Sequence, residues 1–230
     1  MILRSALGAA VLAAMVVSLP LTARAGIIQT FPPPFSDDFN QESDGQADPA
    51  WTNLHNSTWT VQSGQLVCGN PTNNPAAPAT ATITNLAAGD FVMDYDVTSG
   101  DGGMFFRAQP YDSYYIFVLR PGDAYFQIHD ANAWNGQYGT VAVGDTSGPR
   151  HVHLEGVGFT FTATISQPGQ PDVVTSFTDP NALYDKGGFG FYSNSAGLSF
   201  DNVNTSPEPA SLALLGLGAL GLVARRRATR

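Results

Sequence analysis

Residues 91–97 read FVMDYDV: Phe91, Met93, Tyr95 and Val97 are apolar, and Asp94 and Asp96 sit between them. Successive side chains of an extended strand point to opposite faces, so this period of two builds one apolar face and one acidic face. FTFTATI repeats the pattern, with Phe159, Phe161, Ala163 and Ile165 on one side and three threonines on the other. YYIFVLR, residues 114–120, is apolar on both faces, as a central strand is. AYFQIH and HVHLE alternate again, and the clusters SGDGG, RPGD, VGDTSGP, QPGQPD and YDKGG separate the runs with turn residues. No segment between the two termini has a helical period. The 24 glycines and 16 prolines of the 230-residue chain suit many short strands better than long helices. The pattern predicts an all-β, antiparallel two-sheet sandwich or barrel.

Both ends differ from this middle. Arg4, the apolar run SALGAAVLAAMVVSLPL and the small-residue site Ala23-Arg24-Ala25 make residues 1–25 a signal peptide cleaved before Gly26. Residues 26–36 form a linker, because Pro32 to Pro34 exclude helix and central strand. The sandwich is expected over residues 37–204. Residues 205–230 hold Pro207-Glu208-Pro209, fifteen uncharged residues from Ala210 to Ala224, and a basic tail led by Arg225, Arg226 and Arg227. As a helix that run spans about 22 Å at a rise of ~1.5 Å per residue. The hydrocarbon core is roughly 30 Å thick, so the span is short and crosses with local thinning or snorkelling arginines. The basic tail stays cytoplasmic and the domain faces outward, as the signal peptide also requires.

Charge narrows the partners. Four basic residues, Arg107, Arg120, Arg150 and Lys186, face eighteen acidic ones between Gly26 and Ser206, a net of −14. Phosphate contacts need clustered Lys and Arg, so nucleic acid is excluded as a partner. Cys68 is the only cysteine, so an exported chain has no internal disulfide, and the residue is read as a small half-buried hydrophobe.

Two resemblances follow from these residues. Pro207-Glu208-Pro209, the membrane helix 210–224 and Arg225 to Arg227, in that order at the extreme C-terminus, resemble the PEP-CTERM sorting signal of exopolysaccharide-producing Gram-negative bacteria. That implies transient insertion in the inner membrane, recognition by an exosortase-type membrane protease, and transfer to the cell surface or the extracellular space. The order FSDDFN, WTNLHNSTWTVQSGQLV, GDFVMDYDV, GGMFFRAQPYDSYYIFVL, RHVHLEGVGFTFTATI and GGFGFYSNSAGLSFDNV resembles the concanavalin A-like lectin/glucanase jelly roll in its laminin-G-like branch. It implies two curved antiparallel sheets whose first and last strands pair, with DNV beside DDF. The low-complexity loop CGNPTNNPAAPATA is expected to be an insertion.

Candidate sites are then weighed on chemistry. Glucanases of this fold carry a Glu-x-Asp-x-x-Glu strand, whereas this chain has three glutamates, Glu42, Glu155 and Glu208, none so arranged. The chain is therefore read as no enzyme, with a glycoside hydrolase as the low-ranked alternative. His151, His153 and Glu155 share one strand face and suit a transition metal if His129 or His55 joins them, but an ordinary exposed strand face has the same pattern. If the terminal strands pair, Asp37 or Asp38 approaches Asp201. Asp38 and Asp201 are the candidate ligands of a structural calcium; otherwise one aspartate caps a turn and the others face water. Sugar binding uses aromatic faces and a few polar groups. The candidates are Arg107, Tyr111, Asp112, Tyr114, Tyr125, Trp134 and Tyr138. Trp51 and Trp59 are assigned to the core, and Arg107 is expected to meet an aspartate.

The reading is an exported, exosortase-sorted protein with a non-catalytic lectin-like sandwich that contacts exopolysaccharide or another glycan. The alternative is a structural envelope or matrix protein without a ligand.

Overall fold

The computed structural model describes residues 35–55, 57–71, 79–98, 100–109, 113–130, 133–144 and 148–206. The signal peptide, the membrane run and the PEP triplet with its arginines lie outside them. Among the described residues no helix is long and apolar enough to cross a membrane.

Fifteen strands make up the described residues. They open with β1 (Ser36–Asp37), β2 (Trp51–His55), β3 (Trp59–Gln62), β4 (Gln65–Cys68) and β5 (Ala79–Ala88). Next come β6 (Phe91–Val97), β7 (Gly102–Gln109), β8 (Ser113–Arg120), β9 (Asp123–Asp130) and β10 (Ala133–Ala142). The last are β11 (Arg150–Val157), β12 (Thr160–Ser166), β13 (Val173–Thr178), β14 (Gly187–Ser193) and β15 (Ser199–Ser206). One sheet runs β13-β12-β11-β6-β15-β4-β3, with β1 added on β15. The other runs β10-β9-β8-β7-β14-β5-β2, and every pairing in both is antiparallel.

Period two decides which side chains meet between the sheets. In β6, Phe91, Met93, Tyr95 and Val97 are buried, while Asp94 and Asp96 remain partly exposed on the outer side. In β12, Phe161, Ala163 and Ile165 are buried; Phe159 falls in the preceding turn and is half-buried. Trp51 and Trp59 both join the core, Trp51 stacking on Phe191 with ring centroids 5.0 Å apart. The terminal strands close the sandwich as the DDF and DNV segments predict, with Asp37 opposite Val203 and Ser36 opposite Asn204. Ser36, placed in the linker by its neighbouring prolines, is thus already strand. The expected insertion CGNPTNNPAAPATA is shorter than its composition implies. Cys68 ends β4 and Ala79-Thr80-Ala81 opens β5, paired to β14, so strand pairing overrides low complexity at both flanks. Residues 72–78 between them lie outside the described set.

Candidate functional site

The seven-stranded sheet has a second apolar face. β8 explains why: Tyr115, Phe117 and Leu119 join the core between the sheets, and Tyr114, Ile116 and Val118, of opposite parity, form a separate cluster with Phe105, Tyr125 and Tyr192. Ala108 and Trp134 pack against that cluster. A Cβ on Gly190 would lie 2.3 Å from Phe105 Cζ and 2.2 Å from Ala81 O, so only glycine leaves room for the Phe105 ring beside β14.

Register sets a row of rings across three strands. Tyr114 of β8 lies opposite His129 of β9, and His129 lies opposite Trp134 of β10. The Tyr114 and His129 rings stack with centroids 4.8 Å apart, and Trp134 meets His129 edge-on at 4.4 Å. Trp134 also reaches Tyr192 at 5.9 Å. Tyr114 and His129 are buried and Trp134 is half-buried, so the indole is the member of the row that solvent reaches. Toward the other end of the face, the Arg120 guanidinium lies 5.0 Å from the Tyr125 ring centroid and pairs with Asp123, Nη2 to Oδ2 at 2.9 Å. The hydrogen bond from Arg120 holds the Asp123 carboxyl below its usual range. Asn194 donates from Nδ2 to Asp101 Oδ2 at 3.4 Å and to the Tyr192 hydroxyl. Burial pushes Asp101 up, against that hydrogen bond and the attraction of Arg120. The face therefore offers aromatic surface bordered by a cation, two carboxylates and an amide.

Of the sequence-predicted ligand residues, Tyr114, Tyr125 and Trp134 share this face. Tyr111 and Asp112 lie outside the described residues. Tyr138 turns the other way and stacks on Phe177 at 4.2 Å, against the core. Arg107 does not reach the face either. Pairing between β7 and β8 is irregular from Phe106 to Gln109, and Arg107 adopts φ 52° there, which carries its side chain inward. The guanidinium is 1% exposed, donating from Nε to Gly89 O at 2.8 Å and from Nη1 to Tyr184 O at 3.1 Å. It meets Asp90, as an isolated cation in an acidic domain should, and lies over Phe161 at 5.0 Å. Phe105, Tyr192, Arg120 and His129 were not among the predicted ligand residues. Parity marks Arg120 with Tyr114 in YYIFVLR, and His129 with Tyr125 in AYFQIH.

The metal candidates fall elsewhere. His151, His153 and Glu155 lie on the outer side of the other sheet, opposite Asp96, Asp94 and Val92 of β6. They form a chain: His151 Nδ1 to Asp96 Oδ1 at 2.8 Å, His153 Nδ1 to Asp94 Oδ1 at 2.7 Å, and His153 Nε2 to Glu155 Oε1 at 3.0 Å. Among the described residues no group of three or more His, Cys, Asp or Glu side chains is arranged to hold a metal ion. His129 belongs to the aromatic row. Asp38 is exposed and its Oδ1 accepts the Asn40 N–H at 3.2 Å. Asp201 Oδ1 accepts the Asn202 N–H at 2.7 Å. Asp38 thus serves its own turn and Asp201 the irregular pairing of β15 with β6, and the two supply no calcium shell by themselves. Cys68 is buried and unpaired, its Sγ 3.3 Å from Ser57 Oγ.

Residues 207–227 match the model of the PEP-CTERM protein-sorting motif. None of the curated proteins compared with the chain matches it. Among solved structures, the sandwich is similar to the carbohydrate binding module CBM66 from Bacillus subtilis. The two share 19% identity and a TM-score of 0.53, over 68% of this chain and 96% of that one. It is also similar to lectin II from Ulex europaeus, at 12% identity and a TM-score of 0.53, over 76% and 97% of the two chains. A further match is to the Bacteroides ovatus xyloglucan PUL protein GH43B, at 14% identity and a TM-score of 0.53. It covers 75% of this chain and only 38% of that protein. The C-terminus therefore carries a PEP-CTERM motif, and the sandwich has the concanavalin A-like lectin fold.

Proposed function

We propose that this chain, with its PEP-CTERM motif and lectin-like fold, is an exported, exosortase-sorted protein of the cell surface or extracellular matrix. Its non-catalytic sandwich contacts exopolysaccharide or another glycan through the aromatic face of the seven-stranded sheet. The observation that carries the reading is the Tyr114–His129–Trp134 row, buried at its base and open at the Trp134 indole. Sugar C–H surfaces stack on such rings, and hydroxyls at the border accept hydrogen bonds from Arg120 and Asn194 and donate to the Asp123 carboxylate. The sorting motif supports the location: export, an inner-membrane pause, and release by an exosortase in a Gram-negative host.

A ligand-free structural role is the second reading. It is favoured by the burial of Tyr114, Tyr125 and Tyr192, which are 3%, 6% and 5% exposed and pack mainly on their neighbours. Hydrolysis ranks below both. Glu155, one of two glutamates in the sandwich, is tied to His153 on the other sheet, away from the aromatic face. A structural calcium at Asp38 and Asp201 is a separate proposal that requires further oxygen ligands, and a melting midpoint unmoved by chelator would remove it.

The test is binding of the purified exported protein to its host's exopolysaccharide and to a panel of immobilised glycans. Retention above that of an unrelated acidic protein supports the lectin reading, and background retention throughout leaves the structural one.

A further inference from the structure

Arg150 is the first residue of β11, and its side chain points to the same side as Val152 and Leu154, into the core. It is 0% exposed. Its Nη2 donates to Thr98 O at 3.2 Å, whereas Nε and Nη1 have no partner among the described residues. Tyr95, on the neighbouring β6, is equally buried, and its hydroxyl also has no partner among the described residues. The two are close enough to interact electrostatically, and the described residues give Arg150 no carboxylate. Arg107 is the contrast: the same burial, but with Asp90 and two carbonyls around it.

A buried guanidinium without a counter-charge is strongly unfavourable. Burial brings Arg150 down to about 10, which leaves it charged at neutral pH. Water would satisfy the N–H and O–H groups but not the charge. An anion does both. A pocket of ≈ 410 Å³ at the end of this sheet, with Asp96, Pro149, Arg150, His151, Gln167 and Pro168 among its lining, abuts the residue.

We propose that Arg150 Nε and Nη1 and the Tyr95 hydroxyl are the donors of an interior site for a small monovalent inorganic anion, of which chloride is the type. The enclosed position admits only a small ion, and a single guanidinium balances one negative charge, so size and charge together favour a halide. The site lies on the sheet opposite the aromatic face and is independent of any glycan there.

The experiment uses the full chain purified in mild detergent, melted in sodium chloride, bromide or gluconate at matched ionic strength. Gluconate is too large for the interior. The expected result is a Tm about 4 °C higher in either halide, as for a ligand that binds only the native state well above its Kd. Non-specific salt effects do not mimic this, since excluded, strongly hydrated anions raise Tm and halides do not. The halide increment disappears in Arg150→Met and shrinks in Tyr95→Phe. If Arg150→Met does not fold, Tyr95→Phe and the anomalous scattering of bromide in crystals of the wild-type protein decide the matter. A bromide peak against the Arg150 guanidinium supports the site. Equal Tm in all three salts, a halide increment unchanged in the variants, or bromide everywhere except at Arg150 overturns it.

Discussion

Arg107 Nη2 lies 3.4 Å from Asp90 Oδ1, and that same oxygen accepts the Gly158 N–H at 2.8 Å. Arg107 therefore ties the turn before β6, the turn before β12 and, through Tyr184 O, the segment before β14 into one knot. Arg107→Met is expected to lose about 3 kcal/mol of stability, because it removes several buried charge-assisted hydrogen bonds at once. Asp90→Asn is expected to cost at least as much, since the two carbonyls still bond the guanidinium but its buried charge loses the carboxylate. Urea unfolding of the two variants checks the order.

On the aromatic face, Trp134→Ala removes the solvent-reaching ring of the row but leaves Tyr114 stacked on His129. Glycan retention should fall about tenfold, the loss of one stacking platform worth roughly 1–1.5 kcal/mol. The melting temperature should move little, because Trp134 is half-buried at the margin of its cluster. Equal retention with and without the indole would contradict the assigned face.

Much of this architecture was legible because alternation is a local signal. FVMDYDV displays its inner and outer faces in seven letters, and the pairing of β1 with β15 followed from the likeness of DDF and DNV to a closed jelly roll. Arg107 was legible only in part. Its need for a carboxylate follows from charge, but the irregular pairing that turns it inward is decided by how β7 meets β8 and β14, which no short window encodes. The second apolar face was also half-visible. YYIFVLR announced apolar surface on both sides, but which rings from β9, β10 and β14 gather over it depends on strand order.

The sorting motif makes a cellular prediction. Residues 207–227 match a processing signal in which the triplet and the basic tail bracket a short apolar run. Replacing Glu208, or deleting Arg225 to Arg227, should hold the protein in the inner membrane of a native host or alter its release. Fractionation with an antibody to the sandwich reads the outcome, and unchanged export of both variants would count against exosortase handling.

Asp179 supports an acid-stability prediction. Burial resists its ionisation, yet hydrogen bonds from the Leu183 N–H, the Tyr115 hydroxyl and the Asn181 N–H outweigh it and hold the carboxyl below its usual range. The Tyr115 bond is 2.6 Å long and buried. A depressed native value means that the stabilisation is complete above the unfolded value of about 3.9 and is lost as pH falls through the native one. Asp179→Asn should therefore be less stable than wild type at pH 7, and the gap should narrow toward pH 2 in parallel denaturant titrations.

As pH rises from about 4, two groups give separable limbs of falling stability. Burial opposes charge on His153, but the bonds to Glu155 and Asp94 prevail and raise its value above that of a free histidine. Glu155 shares the histidine's own strand, Asp94 comes from β6, and the facing positions on β12 are the uncharged Thr162 and Thr164. Stabilisation by His153 is complete below about pH 6.5, the unfolded value, and disappears as pH rises through the higher native one. Asp48 is pushed up to about 6, chiefly by burial and further by Asp37 and Glu42, against a hydrogen bond from Ala50. A carboxyl raised in this way favours the native state while protonated, so stability falls as pH climbs from about 4 to the native value of Asp48. His153→Gln should flatten the upper limb and spare the lower, and Asp48→Asn should do the reverse and be the more stable protein above pH 6. If instead either substitution flattens both limbs, the two groups titrate as one network across the sandwich.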